Sequence, residues 1–514
     1  MRRYAAIDIG SNSVRMMAAE VSPDGALRTL ATERQVIRLG QSVFRSGRID
    51  RQAIEDAAAT LRRMAQVYAK LDVLAVRAVA TSAVRDAGNQ REFLQRASEA
   101  LGAPVEIVSG QEEARLIHLG VQRRWPHPDK RVLMVDVGGG SAEIMLGEGG
   151  TLAEAYSKPL GAVRLSEVFL KGDPPSALEL RQMTEYIDEK LAAPLARIGR
   201  GRFDRFIATS ATAAAIVCAV NRVSRANRDT ADRLRASTAQ IRRFSRDVSV
   251  KSLAARRKTL GIGPRRAEII VAGTAVFLRV LERFEIPSLF YSAAGVRDGI
   301  VADLATRGVG SEFSRLNRDQ RRTVEALARR YGVALPHARQ VARLAHRLFE
   351  ALQPLHKMQP QFGKLLEASA YLHDTGHYVS DTSHHKHSYY LIANSDLPGF
   401  TDAERQLVAT LCRYHRKSMP ALRHPSYESL DADTRRAVVL LTPLLRLADS
   451  LDRSHDRRVE NIQVALKNGN VVVTLDPGVE SDLEVWAAGR VAGCFREVYR
   501  VDLSLEKGKG GVSG

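Results

Sequence analysis

Cysteine is nearly absent: the chain of 514 residues has three, Cys218, Cys412 and Cys494, widely spaced and with no CxxC pattern. That excludes a disulfide framework, suits a reducing compartment and gives no sign of a thiol nucleophile. Aromatic residues make up only 6%, with two tryptophans. There is no zinc-finger or helix-turn-helix signature and no interleaving of aromatic with basic residues, so a sequence-specific nucleic-acid binder is not expected. No apolar run approaches the length that spans a bilayer, and the chain enters an apolar strand within four residues of Met1. A soluble, cytoplasmic protein with no membrane partner is expected.

Acid is also in deficit. The chain has 58 Asp and Glu against 77 Lys and Arg, a formal net charge of +19. Such a field favours polyanionic partners: nucleic acid, an acidic membrane surface or a phosphate polymer. The excess is uneven, with sixteen Arg/Lys against six Asp/Glu between Asn221 and Tyr291. The competing explanation is an ordinary solvated face. Apolar content of 45% and charged content of 26% are those of a globular protein. The length exceeds what one core accommodates, so two to four domains are expected.

What the chain does have is a repeat. "YAAIDIGSNSVRMM" and "VLMVDVGGGSAEIM" each read as an apolar strand, an Asp, a Gly/Ser-rich turn and a second apolar strand. They align Asp8 with Asp136, Gly10 with Gly138 and Ser13 with Ser141, an offset of 128. "AVATSAVRDA" and "FIATSATAAA" place Thr81-Ser82 and Thr209-Ser210 after a strand and before a helix, again 128 apart. Two independent matches at one offset mark two similar halves. The first match is a hairpin whose glycines permit positive φ and expose backbone N–H groups. The second is a helix start, where Thr or Ser accepts from first-turn N–H groups that can equally hold an oxyanion. Two facing hairpins and two facing helix starts would enclose a cleft lined with phosphate donors.

In "EIVSGQEEARLI", Ser109 is a good N-cap, and Ser-Gly-Gln-Glu is a capping box in which Glu112 reaches back to the cap. Glu113 lacks such a structural reason. It either stabilises the helix dipole from the surface or orients and deprotonates a water attacking phosphorus. Asp136 and Glu143 lie seven residues apart on the second hairpin, where both can face one cleft and hold Mg²⁺. Glu143 aligns with Arg15, so the hairpins are not chemically equivalent. Asp8 is equally explained as a turn-stabilising residue. Ser11, Asn12 and Ser141 offer loop donors, and Arg85 and Arg297 stand where they can clamp phosphates.

These stretches, together with "KPLGAVRLSE" and "SAAGVRDGI", resemble the exopolyphosphatase / guanosine-pentaphosphate phosphatase family of the actin-like, sugar-kinase superfamily. The resemblance runs from Tyr4 to about Val301. It implies an α/β chain of duplicated ribonuclease-H-like (actin-like ATPase) domains over 1–127 and 128–306. It also implies catalytic roles for Glu113, Asp136 and Glu143, with Asp136 and Glu143 on Mg²⁺. Asp8, Ser11, Asn12, Arg85, Gly138, Gly139, Ser141 and Arg297 would bind substrate phosphates.

After Gly308, Gly310 and Ser311 the pattern turns helical, and "VARLAHRLFEAL" puts Val341, Leu344, Ala345, Leu348, Phe349 and Leu352 on one face. His346, the pair His373-Asp374 and Asp449 resemble the ligand set of HD-type phosphohydrolases. Mixed imidazole and carboxylate ligands suit Mn²⁺, Fe or Zn²⁺ rather than Mg²⁺ alone. A relic whose histidines hydrogen-bond or line a groove is the other reading. An all-α HD-like domain over 312–458 is expected. A small α+β cap over 459–508 follows, made of a hairpin with an Asn-Gly turn, a helix and a strand, before a disordered "GKGGVSG" end.

The function implied by the resemblance is Mg²⁺-dependent, processive hydrolysis of the terminal phosphate of inorganic polyphosphate. The nearest alternative is hydrolysis of guanosine pentaphosphate to the tetraphosphate, or both activities. A polyphosphate-linked kinase of the same superfamily and a non-enzymatic polyanion-binding scaffold are more distant readings. By analogy with the family, a homodimer is expected.

Overall fold

This computed structural model describes residues 1–22, 25–307, 314–467, 469–475 and 481–507. The chain divides into two compact units, Met1–Arg307 and Gly308–Gly514.

The first unit holds two sheets of matching order. β1 (Arg2–Ile9), β2 (Ser13–Val21), β3 (Leu27–Val36), β4 (Ala75–Ala80) and β5 (Val105–Ile107) form one, in the order β3-β2-β1-β4-β5. β6 (Arg131–Val137), β7 (Ala142–Glu148), β8 (Thr151–Lys158), β9 (Arg205–Thr209), β10 (Arg235–Ser237) and β11 (Ser288–Tyr291) form the other, in the order β10-β11-β9-β6-β7-β8. In each, three antiparallel strands lead into parallel neighbours, and the second sheet adds β10 as an antiparallel edge. The central β1 and β6 are covered on both faces, which is why they read as unbroken apolar runs rather than alternating ones. The duplication extends to an irregularity: β2–β3 slips register at Ala18/Ala19 and β7–β8 at Leu146/Gly147, again 128 residues apart. Each half keeps its own apolar cluster, one including Ile7, Val14, Leu61 and Phe93, the other Leu133, Ile144, Phe206 and Phe277.

Two helices tie the halves together by crossing over. The helix Gly110–Arg124 follows the first half yet packs on β7 and β8 of the second. The helix Val296–Thr306 follows the second half yet packs on β1 and β2 and along Gly110–Arg124. Their contact is backbone to backbone. A Cβ on Gly299 would stand 1.8 Å from the Leu116 carbonyl oxygen, and one on Gly120 would stand 2.6 Å from that of Gly295. Only glycine permits that approach.

The second unit is helical, with principal helices Leu335–Ala351, Gln361–Leu372, His384–Ala393, Asp402–Tyr414 and Ala432–Ser450. It closes with β12 (Ile462–Lys467), β13 (Asn470–Leu475) and β14 (Leu503–Lys507), β12 antiparallel and β14 parallel to β13. The expected face Val341, Leu344, Ala345, Leu348, Phe349 and Leu352 is buried. Two short helices, Asp482–Gly489 and Ala492–Tyr499, precede the last strand where the sequence suggested one. Val459, Ile462, Val471 and Phe495 share one core with Leu344, Leu366 and Leu444. The line expected at 458/459 therefore does not separate two cores. Asn468 of the expected Asn-Gly turn, Gly308, Gly310, Ser311 and the terminal "GKGGVSG" lie outside the described residues. Among the described residues no helix is long and apolar enough to cross a membrane.

Candidate active site

The two hairpins close alike: Gly10 N–H donates to the Ser13 carbonyl at 3.1 Å and Gly138 N–H to that of Ser141 at 3.0 Å. Their loops face each other within the first unit. A Cβ on Gly139 would lie 2.9 Å from Ser11 Cβ, and one on Gly140 would lie 2.7 Å from Ser11 Oγ and 2.5 Å from Ser82 Oγ. Between them is a cleft of about 160 Å³. Asp8, Ser11, Asn12, Glu113, Asp136, Gly138, Gly139, Ser141 and Arg297, all singled out from the sequence, line it.

Register explains the chemical asymmetry of the halves. Asp8 sits directly opposite Arg15, whereas Asp136 sits directly opposite Glu143. Asp136 is also level with Thr209 across β6–β9, and the Thr209 hydroxyl donates to it. In the first half β1 pairs with β4 two residues out of step from this, setting Asp8 level with Val79, and Thr81 lies beyond the strand. Of the pair Thr209-Ser210, Thr209 is therefore not the side-chain cap. Ser210 does that job, its Oγ accepting from Thr212 N–H at 3.1 Å and Ala213 N–H at 3.3 Å. It does so at φ +87°, a costly angle for a residue with a Cβ.

Three expectations need correction. Glu112 does not complete a capping box: Ser109 Oγ accepts from Glu112 N–H at 3.2 Å, but the Glu112 carboxylate takes Arg115 Nε at 2.7 Å and Arg77 Nη2 at 3.1 Å. The buried cations outcompete the half-buried cap. Arg85 does not line the cleft: it donates to the Val108 carbonyl at 2.8 Å and its Nη1 stands 3.5 Å from Glu113 Oε2, steadying that carboxylate from behind. Glu143 does not line the cleft either. It is fully buried, with Oε1 accepting from Ser157 Oγ at 2.8 Å.

Burial pushes all four acids upward. Glu113 is raised well above the usual carboxylate range by desolvation and then by the Glu143 charge, with Arg85 opposing. Glu143 is pushed up to about 7 by desolvation and then by Asp136. Asp8 and Asp136 are raised by desolvation, eased at Asp8 by Arg15 and Arg297 and at Asp136 by the Thr209 hydroxyl. Glu143 Oε2 is buried without a hydrogen-bond partner, and Glu113 Oε2 accepts no hydrogen bond, Arg85 at 3.5 Å being an ion-pair neighbour only. Converging carboxylates with such orphaned oxygens fit a hard divalent cation.

A prediction follows from the sign of these shifts. Raised carboxylate pKa values favour the folded state while the groups are protonated, and that advantage is lost as pH rises through about 7 at Glu143. A cation that binds the ionised set restores it. The increase in melting temperature on adding Mg²⁺ is expected to be larger at pH 8.5 than at pH 6.0; equal increases would count against cation binding here.

Arg15, Arg228 and Arg266, which the sequence reading did not place in the site, also line the cleft. Arg266 is brought down to about 9 by desolvation and by its neighbours Arg15, Arg34 and Arg228. Guanidinium groups crowded this closely await an anion. Both lie in the basic stretch between Asn221 and Tyr291; Arg266 falls in a paired-arginine run, "PRRAE", whereas Arg228 sits in a kinked helical turn with no motif to mark it.

Carboxylates, arginines and two glycine-rich hairpin loops gather around one cleft, and comparison with known proteins says which family carries them. The model of the "Ppx/GppA phosphatase family" matches residues 18–307, more than half of the chain. The chain belongs to the Ppx/GppA phosphatase family. It is accordingly a hydrolase acting on phosphoanhydride bonds. The model of "Ppx/GppA phosphatase, domain III" matches residues 320–482. A guanosine-5'-triphosphate,3'-diphosphate pyrophosphatase of Vibrio vulnificus (strain YJ016) is 28% identical over 458 residues, covering 88% of this chain and 87% of the relative. The crystal structure of the Aquifex aeolicus Ppx/GppA family member is 30% identical with a TM-score of 0.53, covering 60% of this chain and 98% of that one. An exopolyphosphatase from Cytophaga hutchinsonii is 25% identical with a TM-score of 0.56, covering 59% and 98%.

In the second unit His373, Asp374 and Asp449 lie together, and His346 does not join them. His346 Nε2 instead accepts from Arg315 Nε at 2.7 Å and lies 3.0 Å from Glu350. His337, which the sequence reading passed over, occupies the fourth place, its Nε2 3.6 Å from Asp449 and 3.8 Å from Asp374. On one helix, residues nine apart point to opposite sides.

Proposed function

We propose that the protein is an exopolyphosphatase that releases orthophosphate from the end of inorganic polyphosphate. The observation that carries this reading is a second cavity, of about 480 Å³, which shares Asn12, Ala211, Arg228 and Arg266 with the cleft. Arg34, Arg225 and Arg265 join them, and its described lining contains neither a carboxylate nor an aromatic ring. Closely set guanidinium groups suit a repeating anion. A nucleobase would ordinarily be met by a ring on which to stack.

In this reading the terminal phosphoryl group lies between the loops, where Ser11, Asn12 and Ser141 donate to its oxygens. Glu113 holds the attacking water and accepts its proton as the oxygen bonds to phosphorus and the bridging P–O bond breaks. Arg85 keeps the Glu113 carboxylate in position. Asp8 and Asp136, which line the cleft, would hold Mg²⁺, with Glu143 buried directly opposite Asp136, and the ion when bound supplies neutralisation of phosphate charge. Arg228 and Arg266 receive the phosphates behind the scissile bond, and the shortened chain stays gripped for the next turnover.

Arg225→Ala and Arg265→Ala test the second cavity. Each is expected to raise KM for long polyphosphate about tenfold, the loss of about 1.4 kcal/mol of binding, with little effect on tripolyphosphate. Equal effects on both substrates would place the polymer elsewhere. The Vibrio vulnificus relative, matched over 88% of this chain, favours a second reading, hydrolysis of guanosine pentaphosphate. A higher kcat/KM for that nucleotide than for long polyphosphate would make it the leading one.

A further inference from the structure

Each peptide of the second hairpin loop is held by its carbonyl. The Gly138 carbonyl accepts from Ala162 N–H at 3.0 Å, and that of Gly139 from Val163 N–H at 2.9 Å and Arg164 N–H at 3.0 Å. The donors are the first turn of the helix Ala162–Phe169, whose N–H groups have no partner within the helix itself. The approach leaves no room for a side chain at the helix start: a Cβ on Gly161 would stand 2.3 Å from the Gly139 carbonyl oxygen. The next carbonyl, that of Gly140, takes a side chain instead. Arg164 Nε donates to it at 2.7 Å.

These bonds decide where the loop's N–H groups point. Its peptides are trans, so each carbonyl and the N–H that follows it project in opposite directions. Carbonyls turned to the helix leave the N–H groups of Gly139, Gly140 and Ser141 turned away from it, toward the cleft that these residues line. Among the described residues no backbone acceptor takes the Gly139 or Gly140 N–H. Successive N–H groups aimed into one hollow make a nest for an oxyanion.

The first loop shows what the arginine replaces. Ser11 and Asn12 stand 128 residues before Gly139 and Gly140. The Ser11 carbonyl accepts from Gly40 N–H at 2.7 Å, and that of Asn12 from Ile37 N–H at 3.3 Å and Arg38 N–H at 3.2 Å. There the backbone alone holds both peptides. In the second loop the last peptide hangs on one side chain, and that side chain is fixed from the first half. Arg164 Nη2 donates to Ser82 Oγ at 3.1 Å and, more closely, to Asp86, while the guanidinium carbon lies 4.0 Å from the centre of the Phe44 ring.

We infer that Arg164 is a positioning residue for phosphoanhydride cleavage: it turns the Gly140–Ser141 peptide so that the Ser141 N–H meets the terminal phosphoryl group, and it sets that loop against Ser82 in the other half. Without the guanidinium the Gly140 carbonyl is free to swing round. A carbonyl oxygen pointed at a phosphate repels it where an N–H would bind it. Lysine is a partial substitute, since one ammonium group cannot meet Gly140, Ser82 and Asp86 as a planar fork does. The inference rests on the family's reaction and on the terminal phosphoryl group lying between the loops, as proposed above, but not on which substrate carries that group.

Full-length Arg164→Ala and Arg164→Lys are compared with wild type on tripolyphosphate, long polyphosphate and guanosine pentaphosphate, with melting temperature measured beside them. Arg164→Ala is expected to lower kcat about 100-fold on every substrate that wild type cleaves, the loss associated with an oriented donor to a developing oxyanion. KM for long polyphosphate is expected to change less than about threefold, because the arginines of the second cavity are untouched. Arg164→Lys is expected to recover about tenfold of the loss in kcat, and it carries the test should the alanine variant not fold. Orthophosphate binding, measured by titration calorimetry without turnover, is expected to weaken about tenfold in Arg164→Ala. A common loss on all three substrates, with the nucleotide cleaved best, would sink the exopolyphosphatase reading and leave the role of Arg164 standing. A loss confined to long polyphosphate would overturn that role and make Arg164 part of the polymer's grip. Unchanged kcat and phosphate affinity in a folded variant would also overturn it, and a lowered melting temperature in that variant would reduce Arg164 to a tie between the halves.

Discussion

Glu113→Gln is expected to lower phosphate release from polyphosphate by about 10²- to 10⁴-fold, the range associated with removing a positioned general base. The change keeps the side chain's shape. It also removes a carboxylate that desolvation and Glu143 already disfavour in its charged form. Binding of the polymer is therefore expected to hold or tighten, and melting temperature to hold or rise. Rapid-quench measurement of phosphate release beside equilibrium binding separates the two effects. Weaker binding with unchanged turnover would make Glu113 a substrate contact rather than the base.

The second large effect is structural. Asp303 is buried on the crossing helix Val296–Thr306, where Arg77 Nη1 donates to it at 2.8 Å, Arg115 Nη2 at 2.6 Å, and Arg307 Nε more closely still. Glu112 shares Arg77 and Arg115, so β4 and both crossing helices meet in one ion network. Asp303→Ala leaves these buried guanidinium groups short of a counter-charge and is expected to cost about 3–5 kcal/mol, the usual penalty for breaking a buried pair. Urea unfolding of the variant and the parent measures it. The neighbouring arginines hold Asp303 well below the ordinary carboxylate range, and Arg115 holds Glu112 down. Depressed pKa values give stability that is present above the unfolded values and lost as pH falls through the folded ones. The gap between variant and parent should narrow in acid.

Much of this was readable in the residues before any coordinates. The offset of 128 exposed the doubling, because a hairpin elbow and a helix start are both set by local chemistry that repeats with the sequence. The shared bulge at Ala18 and Leu146 has no such mark, since a slip in register depends on the partner strand. Glu112 was misread because a local capping box competes with Arg115, one turn on in the same helix, and with Arg77, which β4 brings in and spacing does not reveal. Arg228 stayed hidden for the same reason. The choice of His346 over His337 was different, because the information was there. His337 lies four residues before Val341 and eleven before Leu348, on the buried stripe of its helix, whereas His346 falls off that stripe toward Arg315.

The central claim is that the paired hairpin loops grip the end of a phosphate chain while Glu113 faces it with water. Electron density for polyphosphate bound to Glu113→Gln crystals tests this most directly. The terminal phosphorus should lie between Ser11–Asn12 and Gly139–Ser141, one water away from residue 113, with the following phosphates along Arg228 and Arg266. A chain end lying outside that cleft, with the loops unliganded, would contradict the account.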